Sequence, residues 1–395
     1  MIFGFGWLDI LLLVSFVAFL VSGLRKGFFV TLGGVAGLIA GGVASFYAIP
    51  FVSSWVSSAG WRVFWVIATA VVLVILGHSI GVAIGNRIRM MVNFPVIKTF
   101  DRLLGGIVNV AVAALVISAI AFSAATMGLP FLSQQIASSK VIGTIRNATP
   151  DPVSSAMAKA RSLVMGQSIP DIIEPFAPVP DATPTPQGPL SEAVQSRAAS
   201  VVKITGTAFA CGVNQTGSGF TAARDRIVTN AHVVAGISEP VVNTNDGRAL
   251  PARVVHFDAS HDLAVLAVDG LGLEPVALGA DLGTGDNATF MGYPAGGPFQ
   301  AKSAVVQSLR TVSVQNIYGA DATALQIYQL GADVQQGNSG GPMLDADGKL
   351  VGVVFAKAKG DTPVGYALSL QEVGPVVQHA SGYTDAVSTG ACSAH

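Results

Sequence analysis

Three short segments of this chain carry side chains able to do chemistry together. Gly337-Asn338-Ser339-Gly340-Gly341-Pro342 sets a serine among glycines, Thr229-Asn230-Ala231-His232 ends on a histidine, and His261-Asp262-Leu263-Ala264-Val265-Leu266 places an aspartate ahead of an apolar run. A serine hydroxyl is a poor nucleophile at neutral pH. It needs an imidazole to take its proton and a carboxylate to hold that imidazole in the right tautomer. His232, Asp262 and Ser339 supply these groups in that chain order, 30 and then 77 residues apart. The glycines serve the same chemistry. They allow a tight turn and let backbone N–H groups, here those of Gly337 and Ser339, converge on a developing oxyanion.

The flanking residues are more specific than the three residue types. Serine inside G-N-S-G-G-P, histidine closing T-N-A-H and aspartate before L-A-V-L resemble the chymotrypsin-fold (trypsin-like) serine peptidases, above all their HtrA/Deg branch, over about residues 191–395. The resemblance implies two successive six-stranded β-barrels with the site between them. It makes Ser339 the nucleophile, His232 the general base and Asp262 its orienting partner, with Gly337 and Ser339 as the oxyanion hole. Gly217-Ser218-Gly219-Phe220 resembles the family's supporting strand ahead of the histidine. His261 is expected to point away from the site, because adjacent strand residues face opposite sides. Asn338 stands where digestive members have an aspartate that pairs with a newly cut N-terminus, so that mode of activation is not expected. The resemblance also puts Asp333 at the base of the specificity pocket and Lys357 and Val364 at its walls. Lys357 could neutralise Asp333, so a small or medium apolar P1 residue is expected, with a basic P1 residue selected by Asp333 as the other reading.

The elements that must carry these residues change character along the chain. From about residue 200 short apolar runs such as Val201–Ile204, Ala264–Val268 and Leu350–Phe355 alternate with turn signals such as Asn245-Asp246-Gly247, the texture of an all-β domain. The first third is different material. The whole chain is 51% hydrophobic and 11% charged, with a net charge of −1, too apolar for an ordinary soluble protein. Residues of about 7–25, 28–49, 63–86 and 103–126 form four spans, each long enough for a membrane helix of roughly 20 residues. The first is not read as a removable signal, since Arg25-Lys26 follow it and no basic segment precedes it. Arg25 and Lys26 mark the first turn, and Arg87, Arg89, Lys98 and Arg102 the third, against Arg62 alone in the second. Positive charge stays on the cytoplasmic side, so the N-terminus and the C-terminal domain are expected outside. Gly33, Gly37 and Gly41, and again Gly77, Gly81 and Gly85, make ridges on which helix backbones can approach. His78 in the third span is expected to be neutral and bonded to a neighbouring helix. These helices resemble the colicin V production protein family.

The expected organisation is a four-helix all-α transmembrane domain at 1–130, a Pro-rich linker at 131–190 and an extracytoplasmic, all-β, chymotrypsin-like double β-barrel protease at 191–395. Nine prolines between 150 and 189 suggest a semi-rigid spacer over about 170–190, with short helices within 133–168. Only 56 residues follow Ser339, so no PDZ domain is expected. Cys211 and Cys392 are the only cysteines, and in an oxidising compartment they make one possible bridge. Two separate thiols, or bonding to another chain, are the other readings. No C-x-x-C or H-E-x-x-H spacing, phosphate-binding loop or basic patch is present, so no metal, other cofactor or nucleic-acid partner is expected. The partners expected are protein or peptide substrates and the lipid bilayer. The whole architecture resembles the membrane-anchored acid-resistance serine proteases of mycobacteria and related actinobacteria. That likeness implies a stress-response hydrolase of the inner membrane, with its protease domain in the periplasm and cell-wall enzymes among its substrates. A non-proteolytic membrane scaffold or solute pathway, and a serine esterase, are the competing readings.

The charge pattern makes a topology prediction. A reporter enzyme active only outside the cytoplasm is expected to work when fused after residue 190 and to be silent when fused after residue 92. Activity at position 92 would reverse the orientation.

Overall fold

The computed structural model describes residues 6–55, 59–91, 95–125, 127–165, 171–172, 190–359 and 362–393. The four apolar spans fold as helices α1 (Trp7–Lys26), α2 (Phe28–Trp55), α3 (Ala59–Met91) and α4 (Pro95–Ala125), all long and apolar enough to cross a membrane. In lipid every backbone polar group must be satisfied within the segment, which selects the helix. α4 begins earlier than its uncharged stretch, so Lys98, Asp101 and Arg102 lie in its first two turns and not in a loop. Pro95 suits a first helical position, where no N–H is needed.

The glycine ridges of α2 and α3 face each other. Gly33 meets Gly81 and Gly37 meets Gly77 so closely that a methyl group on any of the four would strike the opposing backbone. Gly23 and Gly105 bring α1 and α4 together in the same way, and Asn109 Nδ2 donates to Phe19 O across that contact at 2.6 Å. His78 Nδ1–H donates to Gly34 O on α2 at 3.2 Å. The end of α3 and the start of α4 hold a clamp. Buried Asp101 pairs with Arg89 Nε at 3.1 Å and accepts the Phe29 N–H at 3.2 Å, joining one end each of α2, α3 and α4.

By its packing the chain divides into compact units between Ser118 and Ala119. The second unit opens with α5 (Pro130–Ser138), α6 (Lys140–Ala148), α7 (Asp151–Met165) and a two-residue strand β1 (Asp171–Ile172), so short helices do occupy much of 133–168. Ser139 caps α6, its Oγ accepting the Ile142 N–H at 3.1 Å. The spacer reading of 170–190 falls, apart from β1, outside the described residues.

Helix α8 (Glu192–Ser196) then leads into the first sheet, made of β2 (Val201–Ala208), β3 (Val213–Ala223), β4 (Arg226–Thr229), β5 (Val241–Asn243), β6 (Ala249–Pro251), β7 (Arg253–Asp258) and β8 (Leu263–Ala267). Its order is β6-β5-β2-β3-β4-β8-β7. The sheet has seven strands where six were expected. The turn before Gly247 (φ 90°) splits the segment after β4 into the hairpin β5–β6. A short helix, α9 (Ala231–Val234), sits between β4 and β5. The second sheet contains β9 (Asn287–Gly292), β10 (Gln300–Gln315), β11 (Ala322–Gly331), β12 (Pro342–Leu344), β13 (Leu350–Ala358) and β14 (Val364–Ser369). It runs β1-β13-β12-β9-β10-β11-β14 and closes through a β13–β14 pairing, so β9–β14 form a barrel. One core cluster spans both sheets, with Val201, Phe220 and Val228 of the first packed with Met291, Phe355 and Tyr366 of the second. Helix α10 (Leu370–His379) follows.

The tail after α10 returns to the first sheet. Cys392 pairs with Cys211, just past β2, with Cα atoms 6.5 Å apart. Gly236 N–H donates to Thr389 O at 3.1 Å and Thr389 Oγ1 donates to Ile237 O at 3.0 Å. The tail therefore grips the turn that follows α9.

The ridge contact predicts that Gly81→Val drives α2 and α3 apart. The full-length protein extracted in mild detergent should lose most of its folded, monodisperse fraction, while Gly42→Val, at a position with open space around it, should not. Equal behaviour of the two variants would show that the ridge is not the packing surface.

Candidate active site

Helix α9 carries the histidine. Its N-cap residue Asn230 has an extended backbone and donates from Nδ2 to Asp262 O at 2.8 Å. His232 Nδ1 lies 2.7 Å from Asp262 Oδ2, and the His232 backbone N–H donates to Asp262 Oδ1 at 2.9 Å. One carboxylate thus fixes both the ring and the main chain of the histidine. With its amide oriented to satisfy its neighbours, Gln215 on β3 donates to the carbonyls of His232, Val233 and Ala235. His232, Asp262 and Ser339 are all buried or nearly so, at 9%, 7% and 3% exposure.

Asp262 has φ 52°, a left-handed conformation that aspartate tolerates better than most residues. The turn that holds it is organised by Asp258 at the end of β7. Asp258 Oδ1 accepts the N–H groups of Ser260 (2.9 Å) and His261 (3.1 Å), and Oδ2 lies 2.7 Å from His261 Nδ1. His261 therefore binds Asp258, away from the His232–Asp262 pair. Partial burial alone would raise the Asp258 carboxyl, but its bonds to His261 and Ser260 outweigh this and hold it below the usual carboxylate value. Sequence reasoning passed over Asp258. The only signal was its place at the start of the polar run Asp258-Ala259-Ser260-His261-Asp262.

The Ser339 loop belongs to the second sheet but is bonded to the first. Ser218 on β3 is fully buried. Its Oγ donates to Gly337 O at 2.6 Å and accepts the Tyr293 N–H at 2.9 Å, and its own N–H donates to Ser339 O at 2.8 Å. Gly340 (φ 82°) lies against Ser218, Thr229 and Asn230, so the residue after Ser339 touches the start of the histidine helix. Gly337 (φ 90°) packs on the Pro294–Gly296 turn, where Ala295 N–H donates to Gln336 O at 2.6 Å. Among the described residues neither the Gly337 nor the Ser339 N–H has an acceptor. Among the described residues the Ser339 hydroxyl makes no hydrogen bond to His232, and such contacts commonly tighten only when substrate binds. Buried Asn338 has no charged partner among the described residues.

The residues assigned to the specificity pocket are arranged differently from expectation. Asp333 is exposed and pairs with Lys302 Nζ at 2.9 Å, while Gln335 Nε2 donates to it at 2.7 Å. Its neutralising cation is therefore Lys302 and not Lys357. The reason is strand order. β10, which carries Lys302, lies beside β11, whereas β13, which carries Lys357, is separated from β11 by β14, about 10 Å away across two strand spacings. Lys357 lies opposite Gly365, and buried Val364 lies opposite Gly331. Partial desolvation by its neighbours pushes the Asp333 carboxyl up, but Lys302 outweighs this and leaves it below the ordinary value.

Chemically, a histidine locked to a carboxylate, a serine loop abutting that histidine's helix and two unpaired backbone donors can support acyl transfer. Comparison with known proteins points the same way. The family described as "Trypsin-like peptidase domain" matches residues 217–353, and that described as "Colicin V production protein" matches residues 8–150. Serine protease Rv3671c of Mycobacterium tuberculosis is 32% identical over 398 residues, covering 98% of each chain. Serine protease Do-like HtrA of Bacillus subtilis is 34% identical over 160 residues, 38% of this chain and 35% of its own. The crystal structure of the Rv3671c protease in its active form is 37% identical, with a TM-score of 0.50, and covers 56% of this chain and 99% of that one.

Asp258 gives a pH prediction. Its folded-state pKa is depressed, so its stabilising contribution is present above about 3.8 and is lost as pH falls through the folded value. Asp258→Asn should be less stable by roughly 1–2 kcal/mol at pH 7 and should show a shallower loss of stability below pH 4. Urea unfolding from pH 3 to 7 would test this. An unchanged acid limb would remove Asp258 from the account.

Proposed function

The chain belongs to the family of membrane-anchored, HtrA-like serine proteases that includes Rv3671c, with a trypsin-like peptidase domain behind a colicin V production domain, and from that premise we propose that His232, Asp262 and Ser339 are its catalytic triad. The observation that carries this reading is the pair of hydrogen bonds from the ring and main chain of His232 to Asp262, at 2.7 and 2.9 Å, beside the Gly340 contact. That the chain is a serine endopeptidase with membrane-spanning helices follows from its family. Which residues act, and where, is our reading.

In this reading His232 Nε2 takes the Ser339 proton as the hydroxyl attacks the scissile carbonyl. Asp262 holds Nδ1–H and stabilises the imidazolium. The Gly337 and Ser339 N–H groups bind the oxyanion, each contributing about 3 kcal/mol in the transition state. His232 then protonates the leaving amine, and water repeats the sequence on the acyl-enzyme. Asp333, Lys357 and Val364 shape the P1 pocket. Because Lys302 already compensates the Asp333 charge, a small or medium apolar P1 residue suits it better than Arg or Lys.

The domain borders are proposed at 130 and 190. The basic first and third turns favour an inner-membrane protein with the protease on the periplasmic side. The family resemblance favours substrates among extracytoplasmic proteins, including cell-wall enzymes, and a role in acid and oxidative stress. The Cys211–Cys392 pair suits an oxidising compartment.

Ser339→Ala and His232→Ala are each expected to lower kcat by about 10⁶, with Asp262→Asn also severe because it favours the wrong tautomer. A fluorophosphonate probe should label the wild type at Ser339 and spare Ser339→Ala, which separates a hydrolase from a scaffold. Cleavage of casein, beyond ester turnover, separates a protease from an esterase. Near-normal cleavage by any of the three variants sinks the triad.

A further inference from the structure

The segment following the membrane helices docks at two places near the Ser339 loop. At one, α7 is docked on the turn behind Gly337. Ala158 is 1% exposed and packs on Gly297, at the end of the Pro294–Gly296 turn. Next to it, Lys159 adds positive charge near Asp333. At the other, β1 extends the second sheet. It pairs in parallel with β13, with Asp171 opposite Lys357 and Ile172 opposite Ala358.

This edge of β13 starts at the Ser339 loop. Val354 O accepts the Gly340 N–H at 2.8 Å, and Val354 N–H donates to Gly341 O at 3.0 Å. Lys357 is three residues further on, about 10 Å along the strand. An exposed strand edge binds extended peptide by strand addition. If Lys357 and Val364 line the P1 pocket, the residues preceding a scissile bond lie along this edge and end at Ser339. β13 runs away from Ser339 between Val354 and Ala358, so a productive peptide must run antiparallel to it. β1 runs parallel.

We infer that β1 is a built-in competitor of substrate: residues 171–172 cover the β13 edge with reversed polarity, occupying its hydrogen-bonding positions without presenting an acyl carbonyl to Ser339. The inference rests on the triad proposed above. Its energetic scale is small. Two residues of pairing make a few hydrogen bonds, so the strap attenuates the site and yields to a peptide that pairs over a longer stretch. Substrate binds only the fraction of molecules with the edge open, so the attenuation raises KM and leaves kcat unchanged at saturation.

The test uses the full-length protein in detergent, a fluorogenic peptide and two variants. Asp171→Pro combined with Ile172→Pro removes both backbone donors of β1. KM should fall roughly two- to tenfold, as expected for one or more net hydrogen bonds, with kcat and the unfolding midpoint unchanged. Asp171→Cys combined with Lys357→Cys locks the register pair. Its oxidised form should cleave peptide more slowly than its reduced form, while a small fluorophosphonate still labels Ser339 in both. Wild type carried through the same oxidation and reduction corrects for the Cys211–Cys392 pair. If KM stays at the wild-type value in the proline variant and the lock changes nothing, while Ser339→Ala still abolishes turnover, the strap is wrong and the triad stands. If Ser339→Ala retains turnover, both fall.

Discussion

The site depends on one buried hydroxyl. The histidine and aspartate belong to the first sheet and the serine to a loop of the second, so their chemistry requires the two sheets to keep one register. Ser218 provides the link. Its Oγ joins Gly337 O and the Tyr293 N–H, its N–H holds Ser339 O, and its carbonyl accepts Thr229 Oγ1 at 2.7 Å. A hydroxyl has one donor and two acceptor positions, and here it replaces a backbone ladder between strands that do not pair. The flanking glycines make the approach possible. A methyl on Gly217 would run into Val233, and one on Gly340 would enter β3 and β4. Close contact between two backbones, and not side-chain packing alone, therefore sets the distance between His232 and Ser339.

The same constraint explains what was legible in the sequence. Ser339, His232 and Asp262 stood out because the chemistry restricts their neighbours too: glycines where backbones touch, an apolar strand after the aspartate. The four membrane helices and the α2–α3 glycine ridge were legible because a bilayer and a close helix contact each impose a simple local pattern. Pairings set by topology left no such trace. Asp333 has Lys302 and not Lys357 as its partner because of strand order, which no local spacing encodes. Arg89 was visible as a basic charge, but its partner Asp101, and their clamp on three helices, were not. The β5–β6 hairpin had its turn signal, yet the family's six-strand pattern concealed it. β1 lies in a Pro-rich stretch whose composition argues for extended chain and says nothing of an edge to pair with.

The titratable groups of the β domain respond to acid in opposite directions. Asp246, Asp258 and Asp333 all have carboxyls held below their usual range despite partial burial, by bonds to Thr244 and Arg248, to His261 and Ser260, and to Lys302. For a depressed carboxylate, the stability gained is intact above about 3.8 and fades only as pH falls through the folded value. A mildly acidic compartment leaves these contributions in place. His256 works in the opposite direction. Burial against the Tyr383 ring, 4.4 Å away, lowers its pKa, so its folded form resists protonation. The stability this costs begins to appear as pH drops through about 6.5, well above the range in which the contributions of Asp246, Asp258 and Asp333 fade. Asp258 opposes that shift, since its negative charge raises the His256 pKa. One carboxylate thus organises the turn that holds Asp262 and also moderates the acid-sensitive imidazole two residues upstream. The turn that holds Asp262 therefore keeps its organising carboxylate ionised into mild acid, through the bonds of Asp258 to His261 and Ser260.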